Sequence, residues 1–329
     1  MTPLQGRSAW LVMVALAGWL SACRDDVVLG AWGSVAETPG EGSGGTAGEA
    51  GAAGGAGGDE GSGMPACLEP GTPGPLSVAG PTFGATETAT DWTWPSPVSS
   101  MQWDLMVERE IERPSPTSPP TSGYYYAYQF SFLEGVVGFF GIQAEGVYQQ
   151  DPPSSPVEVT KIAVFWLSGP PLAAELGDIA YPDARAAPTS AAGVSYLTIH
   201  ARFDWQACRV YRFRVGPDGT EADGSIWYGA FIEDTSSGVE TFLGRMLLPA
   251  DIGPLSPFSV SRTMPIEFGA QDSCEIPAQA SVVFGVPSAD AGNLEAARGG
   301  NRLAEPPSCP TSRFTNFAGA VRHELGLRP

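Results

Sequence analysis

The sequence predicts an all-β fold: an antiparallel sandwich of the jelly-roll type over residues 67–329. Three observations carry this reading. Strand-length segments with strict apolar alternation recur along the chain, as half-buried strands require. The 42 Gly and 31 Pro supply turns between them. Helical periodicity is absent, and only Leu172–Leu176 and Ala289–Arg298 have room for short helical turns.

Ahead of this domain, residues 1–22 read as an export signal. Arg7 supplies the positive end, Ala9 to Leu20 the apolar run, and small residues precede Cys23. The run is too short to span a bilayer. Leu20-Ser21-Ala22-Cys23 resembles the bacterial lipobox, which implies a diacylglycerol on the Cys23 thiol and further acylation of its amino group. Each buried CH₂ adds roughly 0.8 kcal/mol of membrane affinity, so several acyl chains anchor firmly. Arg24, rather than Asp, follows the cysteine. By analogy with sorting in enteric bacteria, that points to the outer membrane of a bacterial cell envelope. Residues 23–66 then carry the lipidated cysteine and a disordered Gly/Ala/Ser tether, whose roughly 35 residues from Gly30 to about Met64 have an average reach of about 30–35 Å.

Charge and cysteines agree with an exported protein. Lys and Arg total 17 against 36 Asp and Glu, a net charge of −19, which disfavours nucleic acid and anionic headgroups as partners. Besides Cys23 there are four cysteines, Cys67, Cys208, Cys274 and Cys309. An even set in an oxidising compartment reads as disulfides, and the absence of C-x-x-C argues against zinc. Of the three possible connectivities, the pairing expected is Cys67–Cys208 with Cys274–Cys309.

Taken in order, the strands begin at Trp103–Ile111. There Trp103, Leu105, Val107 and Ile111 share one face, opposite Asp104, Glu108, Glu110 and Glu112. The Pro/Ser/Thr cluster 114–122 reads as a long loop rather than a linker, because strand patterns flank it closely. In Tyr124–Phe132 the even-numbered aromatics share a face, opposite Tyr125, Ala127, Gln129 and Ser131. Glu134-Gly135 then turns the chain into Phe139–Gln143, giving a hairpin. Pro152, Pro153 and Pro156 mark another loop. Lys161–Leu167 is nearly all apolar, as a central strand is. Further strands are expected at Val194–Phe203, Arg209–Val215, Ser225–Glu233, Val239–Leu248, Ser259–Phe268, Ala280–Val286 and Val321–Leu325.

Several of these segments also carry a family resemblance. Tyr124-Tyr-Tyr-Ala-Tyr-Gln-Phe130, Gly138-Phe-Phe-Gly-Ile-Gln143 and Ile162-Ala-Val-Phe-Trp166 open a pattern. Tyr211–Val215, Trp227–Phe231, Gly238–Gly244, Ile266–Gly269, Ser273-Cys274 and Val321–Gly326 continue it. In that order they resemble an uncharacterised family of secreted bacterial proteins, a domain of unknown function. The resemblance implies a β-sandwich similar to legume-lectin and glucanase folds, and brings no established activity or site residues.

Chemistry is therefore weighed from the residues. Glu108, Glu110 and Glu112 repeat on one strand face at steps of nearly 7 Å, and retaining glycosidases need two carboxyls about 5–5.5 Å apart. Glucanases of the legume-lectin-like fold have a similar Glu-x-Asp-x-Glu strand. Here Glu110 replaces the Asp, Arg109 an aliphatic residue, and Arg113-Pro114 ends the strand, so a solvated or charge-protected face is the simpler explanation. His200 and His323 lie in no metal or nucleophile motif. Asp218–Gly224 carries calcium-compatible oxygens without the required order, and reads as a hairpin turn. Neither a metal nor a cofactor is expected. The rings of Trp92, Trp94, Trp205, Trp227 and Tyr125 stand near turns or opposite the core parity, where they can stack on a sugar; Tyr125, Trp205 and Trp227 are the ligand-binding candidates. The expectation is a surface-tethered module that binds a glycan or an envelope protein without catalysis. The alternatives are a glycoside hydrolase using Glu108 and Glu112, and a structural envelope protein.

Overall fold

The computed structural model describes residues 63–68, 87–109, 123–143, 146–148, 157–159, 161–169, 185–191, 194–266, 280–304 and 312–325. All lie within the compact unit Glu60–Pro329. The expected signal peptide, Cys23, the tether up to residue 62, Glu110, Glu112, Leu172–Leu176, Cys274 and Cys309 lie outside the described residues.

The strands are β1 (Glu87–Thr93), β2 (Met101–Arg109), β3 (Gly123–Phe132), β4 (Val137–Gln143), β5 (Gly146–Tyr148), β6 (Val157–Val159) and β7 (Ile162–Gly169). They continue as β8 (Arg185–Ala191), β9 (Val194–Arg202), β10 (Val210–Thr220), β11 (Ile226–Asp234), β12 (Val239–Leu248) and β13 (Leu255–Ile266). The last are β14 (Ala280–Gly285), β15 (Ser288–Ala289), β16 (Leu294–Glu295), β17 (Ala297–Ala304), β18 (Arg313–Asn316) and β19 (Ala320–Leu325). Two antiparallel sheets form a sandwich. The first runs β17-β1-β13-β3-β4-β7-β9-β8, and the second β12-β11-β10-β2-β14-β19-β18, with β15 beside β2 and β16 beside β15.

The alternation expected in β3 holds. Tyr124, Tyr126, Tyr128, Phe130 and Phe132 are all buried between the sheets, and Tyr125, Gln129 and Ser131 are only half-buried. The hairpin of β3 and β4 forms with Tyr128 opposite Phe140, and β7 lies inside its sheet between β4 and β9. From the second sheet, Trp103 stacks on Phe213 with ring centres 5.7 Å apart and meets Tyr128 at 4.7 Å. Phe140 closes the cluster against Phe213 at 5.0 Å. Such pairs add about 0.5–1.5 kcal/mol each beyond their buried area.

Towards β17-β1-β13 the interior changes character. Thr88, Thr90, Ser259, Ser261 and Thr263 are fully buried hydroxyls, and they receive His323 from β19. Its Nε2 lies 2.9 Å from Thr90 Oγ1 and its Nδ1 3.4 Å from Thr263 Oγ1. Phe284 and Phe314 pack against the ring. Burial pushes His323 down to about 3, because a charged imidazolium loses its hydration there.

Three expectations are corrected. β2 is not an edge, since it pairs with β10 and β14, and its second face is buried at Asp104, Met106 and Glu108. Residues 289–298 hold no helical turn. They form the short strands β15 and β16 around Asp290 and Ala291, whose φ values of 50° and 61° are left-handed, and among the described residues the one helical segment is a 3₁₀ turn at Ala250–Ile252. The folded unit also starts before Cys67. Met64 and Cys67 pack on Met106, Val283 and Ala320, on the outer side of the second sheet, and the expected Cys67–Cys208 disulfide clamps that segment across a separation of 141 residues.

Candidate functional site

Strands β10, β11 and β12 carry core residues and outer residues in alternation, and the outer ones form cross-strand rows. On β10, Tyr211, Phe213 and Val215 enter the core, which turns Arg212 and Arg214 outward. Register places Gln102 (β2), Arg214 (β10), Phe231 (β11) and Phe242 (β12) in one row. The Arg214 guanidinium lies 3.7 Å from the Phe231 ring centre, and Phe231 stacks on Phe242 at 4.8 Å. Arg214 Nη2 donates to both oxygens of Glu240, at 3.1 and 3.0 Å. The result is a partly exposed cation–π–π stack across three strands.

A neighbouring row is fully charged. Arg212 binds Asp104 through two hydrogen bonds of 2.9 and 3.2 Å, and Glu233 approaches Arg212 at 3.8 Å. Burial outweighs that guanidinium and holds the Asp104 carboxyl above its ordinary range. On the other side of the aromatic row, Gly216 and Gly229 face each other. A larger residue at either position would crowd its neighbours. A Cβ on Gly216 would stand 2.8 Å from Ser100 Cβ, and one on Gly229 2.6 Å from the Phe231 ring. Beyond the glycines, Trp227 is partly exposed. Its Nε1 donates to Glu221 at 2.7 Å, and Arg245 covers its ring at 4.8 Å. Trp227 and Phe231 lie four positions apart along β11, about 13 Å.

The candidate residues separate clearly. Trp227 belongs to this face. Trp205 does not: it is 1% exposed, with Lys161 over its ring at 4.4 Å and Tyr126 against its edge. Trp92 and Trp94 are buried as well. Trp92 donates to Ser261, so neither ring is open to a sugar. Tyr125 is half-buried on the outer side of the other sheet. It packs with Ile162, Val164 and Trp166 and donates its hydroxyl to the Val164 carbonyl at 3.1 Å.

Glu108 departs from both readings offered for it. Its side chain is wholly inaccessible rather than solvated. Arg322 grips both oxygens at 2.7 Å, and the Ser281 hydroxyl donates to Oε2 at 2.6 Å. A carboxylate with both oxygens engaged and no access offers a glycosidic carbon neither a nucleophile nor an acid. His200 is displaced downward to about 4 by burial and lies beside Val164 and Arg185 in the sheet. The Asp218–Gly224 segment is the expected hairpin connection: the Glu221 N–H donates to the Ser225 carbonyl, and Asp223 caps Ser225 N–H. Among the described residues no three His, Cys, Asp or Glu side chains converge as a metal site would.

No protein-family model matches the chain, and no curated protein matches it. The site is thus read from its own geometry. Phe231, Phe242, Arg214 and Arg245 were absent from the sequence candidates. The signal that would have found Phe231 is its shared parity with Trp227 on one strand.

Proposed function

We propose that the chain is a lipid-anchored envelope protein whose sandwich binds an extracellular glycan, without catalysis, on the outer face of β10–β12. The observation that supports it is the row Arg214–Phe231–Phe242 with Trp227 alongside: partly exposed rings among guanidinium–carboxylate pairs. Arg214 and Phe242 flank the Phe231 ring and Arg245 covers one face of Trp227, so the apolar surface offered to the C–H side of a pyranose is the ring edges of the row and the other faces of Phe242 and Trp227, while paired Arg and Glu offer donors and acceptors together for its hydroxyls. The groups sit on paired strands rather than loops, which fixes their spacing before a ligand arrives. A glycan array with wild-type protein, Trp227→Ala and Phe231→Ala tests the reading. Binding by the wild type and at least a tenfold loss in either variant is expected, at unchanged melting temperature. Absence of binding, or full affinity in both variants, overturns it. The anchor is tested separately: Cys23→Ser should move the protein from membrane to soluble fractions.

A further inference from the structure

Beside the aromatic row lies a cleft of about 180 Å³ whose lining includes Ser100, Gln102, Arg214, Pro217 and Ala291. We infer that this cleft is a terminal subsite, so that the face recognises the end of a neutral glycan chain and not its middle. The inference rests on the glycan reading above and adds direction to it.

The row itself supplies the direction. It runs from Phe242 through Phe231 and Arg214 to Gln102. On the Phe242 side β12 is the last strand of its sheet among the described residues, so a chain laid along the row can leave there. On the other side Gln102 is followed by Ser288 of β15, and the β15–β16 turn carries Ala291 into the lining of the cleft. A chain following the rings therefore meets a wall at Gln102.

That wall is fixed in place. The Asp290 carboxylate accepts hydrogen bonds from Ser99 N–H at 2.8 Å, Ser99 Oγ–H at 2.7 Å and Ser100 N–H at 3.2 Å. These bonds tie the approach to β2 onto the β15–β16 turn. The Asn293 amide in turn donates to the Asp290 carbonyl at 2.6 Å.

Size and chemistry select the occupant. A volume of about 180 Å³ is well below the ~300 Å³ at which drug-sized pockets begin, and equals roughly six waters at ~30 Å³ each. It has room for one sugar ring. Ser100, Gln102 and Arg214 provide hydroxyl, amide and guanidinium groups, and Met101, Pro217 and Ala291 provide apolar lining, which matches a pyranose with a polar rim and C–H faces. Neutral sugars are favoured over acidic ones because Arg212, Arg214 and Arg245 each already hold a carboxylate and the chain's net charge of −19 repels polyanions.

The test uses the full chain in detergent and five probes: hexasaccharides of β-1,4-glucose, β-1,4-N-acetylglucosamine, β-1,4-mannose, β-1,4-xylose and α-1,4-glucose. Each is presented free, capped with a bulky fluorophore at the reducing end, and capped at the non-reducing end. For a probe that binds, one cap should weaken affinity at least tenfold while the other leaves it within twofold. Ala291→Trp, which fills the cleft from an exposed turn, should weaken the free probe at least tenfold when measured well below the melting temperature, which the left-handed φ of 61° at this position lets a bulky side chain lower only modestly. Equal tolerance of both caps, or wild-type affinity in Ala291→Trp, overturns the terminal subsite; if Trp227→Ala still abolishes binding in that case, the glycan-binding face stands. Failure of the wild type to bind any of the five overturns both.

Discussion

Replacing Arg322 tests whether Glu108 is structural. The Glu108 side chain is 0% exposed and that of Arg322 12%, so Arg322→Met leaves a buried carboxylate with the Ser281 hydroxyl as its remaining hydrogen bond of those at its oxygens. Removing one member of a buried pair costs about 3–5 kcal/mol, because the other charge stays desolvated and uncompensated. Replacing both is different. In Glu108→Met/Arg322→Met the unpaired charge disappears, and buried pairs exchanged for apolar residues are often neutral or stabilising. The assay is urea unfolding of the two single variants and the double, followed by tryptophan fluorescence and far-UV circular dichroism. With a slope of about 3 kcal/mol/M for a domain of this size, the Arg322→Met midpoint falls by about 1–1.7 M, and the double variant recovers most of it. A double variant whose loss equals the sum of the singles would show no coupling and refute the argument. So would an Arg322→Met midpoint within about 0.3 M of wild type.

Acid stability follows from the histidines. Burial lowers His323 to about 3 and His200 to about 4, below the unfolded value near 6.5. The unfolded chain therefore binds more protons than the folded one below pH ~6.5, and stability is full above that pH and falls as pH drops towards those values. The slope reaches about 1.4 kcal/mol per pH unit for each histidine. His323→Gln/His200→Gln should flatten the stability profile between about pH 6.5 and 5, measured by urea midpoints; an unchanged slope contradicts the assignment. Tyr128→Ala should cost about 3–5 kcal/mol as a core aromatic deletion, since it also forfeits the hydroxyl bond to the Gly285 carbonyl. Tyr125→Ala, on the half-buried face, should cost clearly less, and the reverse ranking in denaturant titrations would refute the strand parity. Peptide mapping without reductant should recover Cys67 linked to Cys208. Cys67→Ala/Cys208→Ala should then lose up to about 5 kcal/mol, the chain-entropy value for a loop closed over 141 residues; a loss near zero refutes the clamp.

How far the fold was legible depended on what each strand buries. β3 buries five aromatics on one parity, and period-two reading found its core face and its hairpin directly. β1 escaped notice because the residues it turns inward are Thr88, Thr90 and Trp92, two of which are hydroxyls that look like loop chemistry in a sequence. The Thr90 hydroxyl can be interior because Asn301 and His323 bond it across strands, partners 211 and 233 residues away. Parity also put Glu108 opposite Trp103, correctly. Its burial was unreadable, because the residue that neutralises it is Arg322, at a separation of 214. Trp205 failed for another reason. It follows β9 in a non-strand segment, where no alternation tells an inward ring from an outward one.

The alternation that made the core legible also gives the proposed binding face its rigidity. Arg214 is held between Phe213 and Val215 on one strand, and Phe213 is locked against Trp103 and Phe140. Any shift of Arg214 along the sheet would have to carry those rings through a close-packed interior, where even a methylene misfit is costly. On β11 the same holds for Phe231, flanked by the buried Ala230 and Ile232. The spacing between the Trp227 and Phe231 rings is therefore set by the core and not by the surface. Substitutions of core neighbours such as Phe213 should weaken ligand binding in step with packing, whereas exposed substitutions on Glu240 should alter affinity with little effect on stability, since that pair is exposed and such pairs contribute about 0–1 kcal/mol.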